Sequence, residues 1–454
     1  MCTRDVYKGG VISMNVSTTC FKPLSAPFKG SISVDGDKSI SHRAVLFAAM
    51  AQGTTRLSGV LDSDDVRATL EAIHQLGAQV NLEKMPDGSL MGGITGWGSR
   101  GPIQPKEPID CKNSGTTARL LMGVLAGWDI TVTLDGDSSL RERPMYRVIE
   151  PLSQMGVSFK PQGAYNLPLT ITGTSHIHCL KATLPIASAQ VKTAIVLAGL
   201  YARGTTSVKE PSPSRNHTEL MLPCFGVDCM AAYCNARVKG PVVLNAAEIH
   251  VPGDPPSAAF LLCAAVLTPH SAIQVYDVSL NPARIGFLRT LEYMGVNASR
   301  KSVGYAGREM YGILSAEYTP DLHGCEIPAE KIATVIDEIP VLSLVASRAR
   351  GLTVFRGIHE LRVKETDRVS GIIEGLTALG ISAWVENDDL YIEGDPDAHI
   401  DGPVVLNAHG DHRLAMTWAL VGLCGDVAVT VTDADCIAVS YPGFISDLEK
   451  LSAS

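Results

Sequence analysis

Six times along this chain, a few small polar or charged residues run directly into an unbroken apolar stretch rich in Ala, Leu and Val. The segments are KSISHRAVLFAAMA from Lys38, NSGTTARLLMGVLAG from Asn113, IASAQVKTAIVLAGL from Ile186, PPSAAFLLCAAVL from Pro255, IDEIPVLSLVAS from Ile336 and HGDHRLAMTWALVGL from His409. A stretch that is apolar all round has no face to give to solvent, so each predicts a helix enclosed within a domain. Their starts lie roughly 70 to 80 residues apart, far beyond a solenoid period, so each repeat is a compact subdomain and not a single hairpin. At 454 residues the chain exceeds what one core organises, and three such units fall in each of two domains of about 200 residues.

Between these helices lie short β-rich runs bounded by turn residues: TTRLSGVL from Thr54, ITVTLDGD from Ile130, TTSVKEP from Thr205, AIQVYDVSL from Ala272, LTVFRGI from Leu352 and VAVTVTDAD from Val427. A second, amphipathic helix often follows, as in DDVRATLEAIHQLGAQV from Asp64 and RVIEPLSQMGVSF from Arg147. Each unit therefore reads as a mixed α/β subdomain. The apolar helices are core, but their polar starts need a further reason. A helix N-terminus carries unpaired N–H groups and the positive end of the dipole, which together favour an anion. Two domains presenting such edges to one cleft would bind a pair of anionic ligands.

The chain as a whole is acidic, with a formal charge of -9, which argues against nucleic acid as the main partner. Its 11 cysteines form no C-x-x-C pair and have no histidines at zinc spacing, so reduced thiols are expected, with no disulfide or metal framework. Residues 1–22 lack the charged start and apolar core of a secretory signal, and no apolar run approaches the ~20 residues of a membrane span. The expectation is a cytoplasmic protein. No oligomer interface is legible, and a monomer is expected.

The polar starts resolve into five motifs. Gly36-Asp37-Lys38-Ser39-Ile40-Ser41-His42-Arg43 puts two cations and a hydroxyl within about a turn, a set suited to phosphate or carboxylate. Asn113-Ser114-Gly115-Thr116-Thr117-Ala118-Arg119 offers a glycine that admits a ligand close to the backbone, followed by Leu140-Arg141-Glu142-Arg143-Pro144-Met145. The third joins Ser188-Ala189-Gln190-Val191-Lys192 to Arg215-Asn216-His217-Thr218-Glu219. The fourth joins Ile336-Asp337-Glu338-Ile339-Pro340 to Leu361-Arg362-Val363-Lys364-Glu365-Thr366-Asp367-Arg368, and the fifth is Gly410-Asp411-His412-Arg413-Leu414-Ala415-Met416. Each alone also fits an ordinary capped helix or a solvated charge patch. In this order and at these separations they resemble the 5-enolpyruvylshikimate-3-phosphate synthase family of enolpyruvyl transferases, from about Pro23 to near the C-terminus. The L-R-V-K-E-x-D-R and D-H-R-x-A-M strings carry most of that likeness.

The resemblance implies an α/β fold of two similar domains, each of three βαβαββ units (an inverse α/β barrel), closing over an interdomain cleft. The crossings would fall near Gly36 and near Pro252 to Asp254, giving one domain of residues 1–36 with 253–454 and another of 37–252. It implies transfer of the enolpyruvyl group of phosphoenolpyruvate to shikimate 3-phosphate by addition and elimination, with no metal and no organic cofactor. Carried over by motif, Lys38, Ser39, Arg43, Ser188, Ala189, Gln190, Arg215, Asp337 and Lys364 would bind shikimate 3-phosphate. Lys38, Gly115, Arg143, Gln190, Arg368 and Arg413 would hold phosphoenolpyruvate. Asp337, Glu365 and Lys38 would divide the proton transfers, since two carboxylates in a cationic pocket serve as base and acid when their surroundings separate their pKa values. One departure stands out: Val439 occupies the place, shortly before Tyr441-Pro442, where some members carry a phosphate-binding lysine. Sensitivity to glyphosate, a phosphoenolpyruvate mimic, stays open. So do two other readings: the sister transferase acting on UDP-N-acetylglucosamine, and a non-catalytic anion-binding protein that needs the arginines but not the carboxylates.

Overall fold

The computed structural model describes residues 17–453 apart from 25, 162, 164 and 401, so the reading of the first sixteen residues lies outside the described part. All six apolar segments are helices: α1 (Lys38–Met50), α2 (Gly115–Leu125), α3 (Ala189–Gly199), α4 (Pro255–Leu267), α5 (Ile339–Ser347) and α6 (His412–Cys424). Five are started by the side chain of the preceding residue, which accepts a hydrogen bond from a first-turn N–H. These caps are Asp37, Ser114, Ser188, Asp254 and Asp411. The sixth, α5, has Pro340 in its first turn, where a missing N–H costs nothing. Their apolar faces are buried as expected; α4, for example, is buried from Pro255 through Val266. Close helix packing uses a small residue at one point: a Cβ on Gly123 of α2 would overlap the backbone of Ala194 on α3.

Among the described residues the strands form six sheets, five of four strands and one of three. The unit around α2 shows the pattern. Ile109–Asp110 pairs in parallel with Thr131–Asp135, which follows α2, and Leu169–Thr172 and Ser158–Pro161 then continue the sheet antiparallel. Two units take their first strand from just before a crossing of the chain. Lys29–Ser33 pairs in parallel with Ala272–Ser279, after α4, and Glu248–His250 pairs in parallel with Thr54–Val60, after α1. In the three-stranded sheet, Thr18–Phe21 pairs antiparallel with Val429–Thr432, so the start of the described chain completes the last unit.

The buried apolar side chains separate into two cores, one from residues 40–251 and the other from 21–34 with 258–451. The two crossing segments run side by side between them: the Asp37 N–H donates to the Pro252 carbonyl at 2.7 Å and the Asp254 N–H to the Asp35 carbonyl at 2.9 Å. Gly36 is required here, because a Cβ would overlap the Gly59 carbonyl oxygen. Asp37 and Asp254 are thus at once the ends of the crossings and the caps of α1 and α4. No helix among the described residues is long and apolar enough to cross a membrane. The described cysteines are free thiols, and no group of three or more potential metal ligands is clustered among the described residues.

Candidate active site

The capped starts of the inner helices face a cavity between the two cores. Nine Lys and Arg side chains and five carboxylates line it, an excess of four positive charges within a chain whose total is -9. That local reversal selects anionic ligands. From the 40–251 side come Lys38 and Ser39 of α1, Gly115, Thr116 and Arg119 of α2, Arg143 and Arg147, the Ser188-Ala189-Gln190 edge of α3, and Arg215. From the other side come Arg284, Asp337, Lys364, Glu365, Arg368, His412 and Arg413.

Asp337 sits two residues before α5, and five cations surround it. Arg215 hydrogen-bonds to its Oδ2, Arg284 Nη1 lies at 3.4 Å, Arg368 Nη1 at 3.6 Å, Arg413 Nη2 at 3.8 Å and Lys364 Nζ at 3.9 Å. Glu365 accepts from Arg368 Nη2 at 2.6 Å and faces Arg143 Nη1 at 3.9 Å. Burial opposes its ionisation, but Arg368, Arg143 and Lys38 outweigh that and hold the carboxyl well below its usual range. Arg368 links the two carboxylates and is itself anchored by Asp411, the cap of α6, at 2.7 Å.

The other cations are held from behind. Lys38 Nζ contacts Asp65 at 3.1 Å, and Arg143 donates to the Asn113 side chain at 2.6 Å. Gln190 accepts from Arg119 at 2.7 Å and donates to Thr116 at 3.0 Å, tying α2 to α3. Burial, together with Arg368 and Arg215, pushes Lys364 down to about 7. Burial and Lys38 keep His412 neutral, its pKa well below the ordinary value.

Several buried nitrogens here have no hydrogen-bond partner: Arg119 Nε, Arg143 Nε, Arg284 Nε, Arg368 Nη1 and His412 Nε2. Buried donors are normally satisfied, so a cluster of open ones in a cationic cavity is what an anion-binding site requires.

Thirteen of the fourteen residues singled out from the sequence line this cavity. Arg43 does not. It is 2% exposed, and its guanidinium donates to the Thr218 and Thr193 hydroxyls and to the Ser39 carbonyl. It lies one turn deeper along α1 than Ser39, enclosed by Thr193 and Thr218, where it holds the Ser39 carbonyl from behind. Three lining cations were not singled out from the sequence, Arg119, Arg147 and Arg284, and neither was the neutral imidazole of His412. Arg119 and His412 stood inside the motifs, next to residues that were chosen. Val439, in place of the lysine that some members carry, lines a groove adjoining Glu365 and His412.

Residues 24–448 match the family described as EPSP synthase (3-phosphoshikimate 1-carboxyvinyltransferase). The chain belongs to the EPSP synthase family. Two relatives named 3-phosphoshikimate 1-carboxyvinyltransferase lie close to it over nearly their whole lengths. That of Acidiphilium cryptum is 43% identical, over 95% of this chain and 96% of its own. That of Parvibaculum lavamentivorans is 44% identical, over 95% of each. Among solved structures, EPSP synthase from Acinetobacter baumannii superposes with a TM-score of 0.83 at 36% identity, covering 96% of this chain and 98% of its own. The enolpyruvyl transferase NikO from Streptomyces tendae superposes with a TM-score of 0.76 at 18% identity, which extends the likeness of fold alone. The EPSP synthase fold is thus that expected from the sequence, two α/β domains of repeated units.

Proposed function

We propose that this chain acts as a 3-phosphoshikimate 1-carboxyvinyltransferase, moving the enolpyruvyl group of phosphoenolpyruvate to the 5-hydroxyl of shikimate 3-phosphate and releasing phosphate. The observation that carries the reading is the pair Asp337 and Glu365, bridged by the Arg368 guanidinium in a cavity with an excess of cations. Arginines alone would bind anions; two carboxylates among them can also move protons.

In this reading Ser39, Ser188, Ala189, Gln190, Arg215 and Lys364 hold shikimate 3-phosphate, and Arg43 holds Ser39 in place. Gly115, Arg143, Arg368 and Arg413 hold phosphoenolpyruvate, and Lys38 reaches both. Asp337 takes the proton of the acceptor hydroxyl as its oxygen bonds to C2, while Glu365 supplies a proton to C3. In the tetrahedral adduct Glu365, now a carboxylate, takes a proton back from C3 as the C2–O bond to phosphate breaks, with Lys38 at the departing oxygen. Glu365 is ionised before ligands bind, because guanidiniums hold it so. Phosphoenolpyruvate competes for those guanidiniums, which raises the carboxyl toward the range where it can carry a proton.

We take residues 1–36 with 253–454 and 37–252 as the two domains, with the paired crossings as the hinge. Ligand anions neutralise opposing cations and favour the closed state, so each substrate aids binding of the other. The chain is taken to work in the cytoplasm as a monomer on small anionic substrates. The test is phosphate release from phosphoenolpyruvate without added metal, with shikimate 3-phosphate or UDP-N-acetylglucosamine as acceptor. Release with the first acceptor alone supports the assignment. Release with the second alone moves the chain to the sister activity, and release with neither leaves an anion-binding protein.

A further inference from the structure

Behind the acceptor side of the cavity lies a buried ionic layer that the mechanism does not use. The Glu210 carboxylate, which follows the strand Gly204–Lys209, is 1% exposed. Its Oε1 accepts the Ser188 N–H at 2.9 Å, and its Oε2 accepts the Ser214 hydroxyl at 2.9 Å and Lys192 Nζ at 2.8 Å. Lys192 is also paired with the buried Glu219 at 2.9 Å. With Arg43 close by, bonded to Thr218 next to Glu219, the layer holds two cations and two carboxylates and so carries no net charge. With its charges balanced, the layer reaches the site chiefly through the bonds that Glu210 makes to Ser188 and Ser214.

Buried ion clusters contribute little stability compared with apolar packing, so their retention calls for another reason. Here the outward bonds of one carboxylate end on two separate segments that line the cavity. One begins with Ser188 and leads into Ala189 and Gln190; the other ends with Ser214 and leads into Arg215.

We infer that Glu210 is a positioning residue for the acceptor, fixing the spacing between the Ser188 edge and the Arg215 segment with Lys192 as its counter-charge. This rests on the proposed function of the same cavity. The segments that carry Arg143, Arg368 and Arg413 make no bond to Glu210, so its loss weakens acceptor binding and spares the donor.

The experiment measures both KM values and kcat for wild type, Glu210→Gln and Ser214→Ala, with the calorimetric Kd for shikimate 3-phosphate. Glu210→Gln keeps the shape but removes the charge. Its acceptor KM and Kd are expected to rise about tenfold to a hundredfold, the scale of hydrogen bonds to a charged group. The donor KM at saturating acceptor and kcat stay within about threefold. Ser214→Ala cuts a single bond at a half-buried hydroxyl and gives a smaller rise in the same constant. A fall in kcat with both KM values unchanged would mean fewer folded molecules and would overturn the inference, as would equal rises in both KM values. If Glu210→Gln does not fold, an unchanged acceptor KM in Ser214→Ala overturns it. Inactive wild type would instead refute the functional reading.

Discussion

Replacing Arg368 by leucine separates the structural from the catalytic part of the site. Arg368 is 1% exposed and Asp411 fully buried, and their contact is 2.7 Å. Removing one member of such a pair strands the other charge and costs about 3–5 kcal/mol. Asp411 keeps its bonds from the Arg413 and Leu414 N–H groups, at 2.8 and 3.3 Å, which places the expected loss at the lower end, about 3 kcal/mol. For domains of roughly 200 residues that is a fall in Tm of about 6–12 °C. Adding Asp411→Asn removes the stranded charge and keeps a good helix cap, so the double variant should regain most of the loss. Neither variant turns over, because the link between Asp337 and Glu365 is gone. Thermal and urea unfolding of the ligand-free proteins measure this. The Arg368→Leu loss should also shrink as pH falls, because an unpaired buried carboxyl has a raised pKa and is more readily protonated in acid. A loss below about 1 kcal/mol, or a double variant no more stable than the single, would refute the claim that Arg368 is the counter-charge of Asp411.

Glu365→Gln keeps the contact to Arg368 but cannot carry a proton, so kcat should fall about 10²- to 10⁴-fold with little change in Tm, read by steady-state phosphate release and calorimetry. Gly115→Ala would put a methyl group 3.2 Å from Arg119 Nη1 and 3.4 Å from Arg143 Nη1, so those groups must shift; the donor KM should rise more than the acceptor KM in the same assay. Lys364, pushed down to about 7 by burial and neighbouring cations, is charged below that pH and loses its proton above it. Acceptor affinity should therefore weaken as pH rises through about 7 in calorimetric titrations, and Lys364→Arg, charged throughout, should abolish that dependence.

The helices were legible because an all-apolar stretch behind a capping residue has few alternatives: Asp37, Ser114, Ser188, Asp254 and Asp411 both mark the starts and make the capping bonds. The distant strands that complete three of the units were not. Nothing local in Lys29–Ser33 says that it joins strands at 272–317, beyond the whole inserted domain, and nothing local in Glu248–His250 says that it joins strands at 54–95. Thr18–Phe21 likewise pairs with a strand more than 400 residues away, beyond the reach of any periodicity. Within the site, motif residues at helix starts were readable because the N-terminus fixes where they point. Arg43, one turn deeper along α1, is closed in by Thr193 and Thr218 instead of reaching the cavity. Arg284 sits in an Asn-Pro-Ala-Arg turn that resembles a surface loop, yet it is 3% exposed and pairs with both crossing caps, Asp37 at 3.1 Å and Asp254 at 3.0 Å. Its partners are 247 and 30 residues away, so tertiary structure alone reveals it.

Addition and elimination at phosphoenolpyruvate make C3 a methyl group for part of each turnover, and that leaves a record in the product. The decisive measurement is the reaction of purified protein with phosphoenolpyruvate and shikimate 3-phosphate in D2O, followed by proton and phosphorus NMR. The account predicts inorganic phosphate equal to the ether-linked enolpyruvyl product, deuterium in the product methylene, and loss of both signals in Glu365→Gln. Product without deuterium would contradict protonation at C3, and no product from these two substrates would contradict the assignment itself.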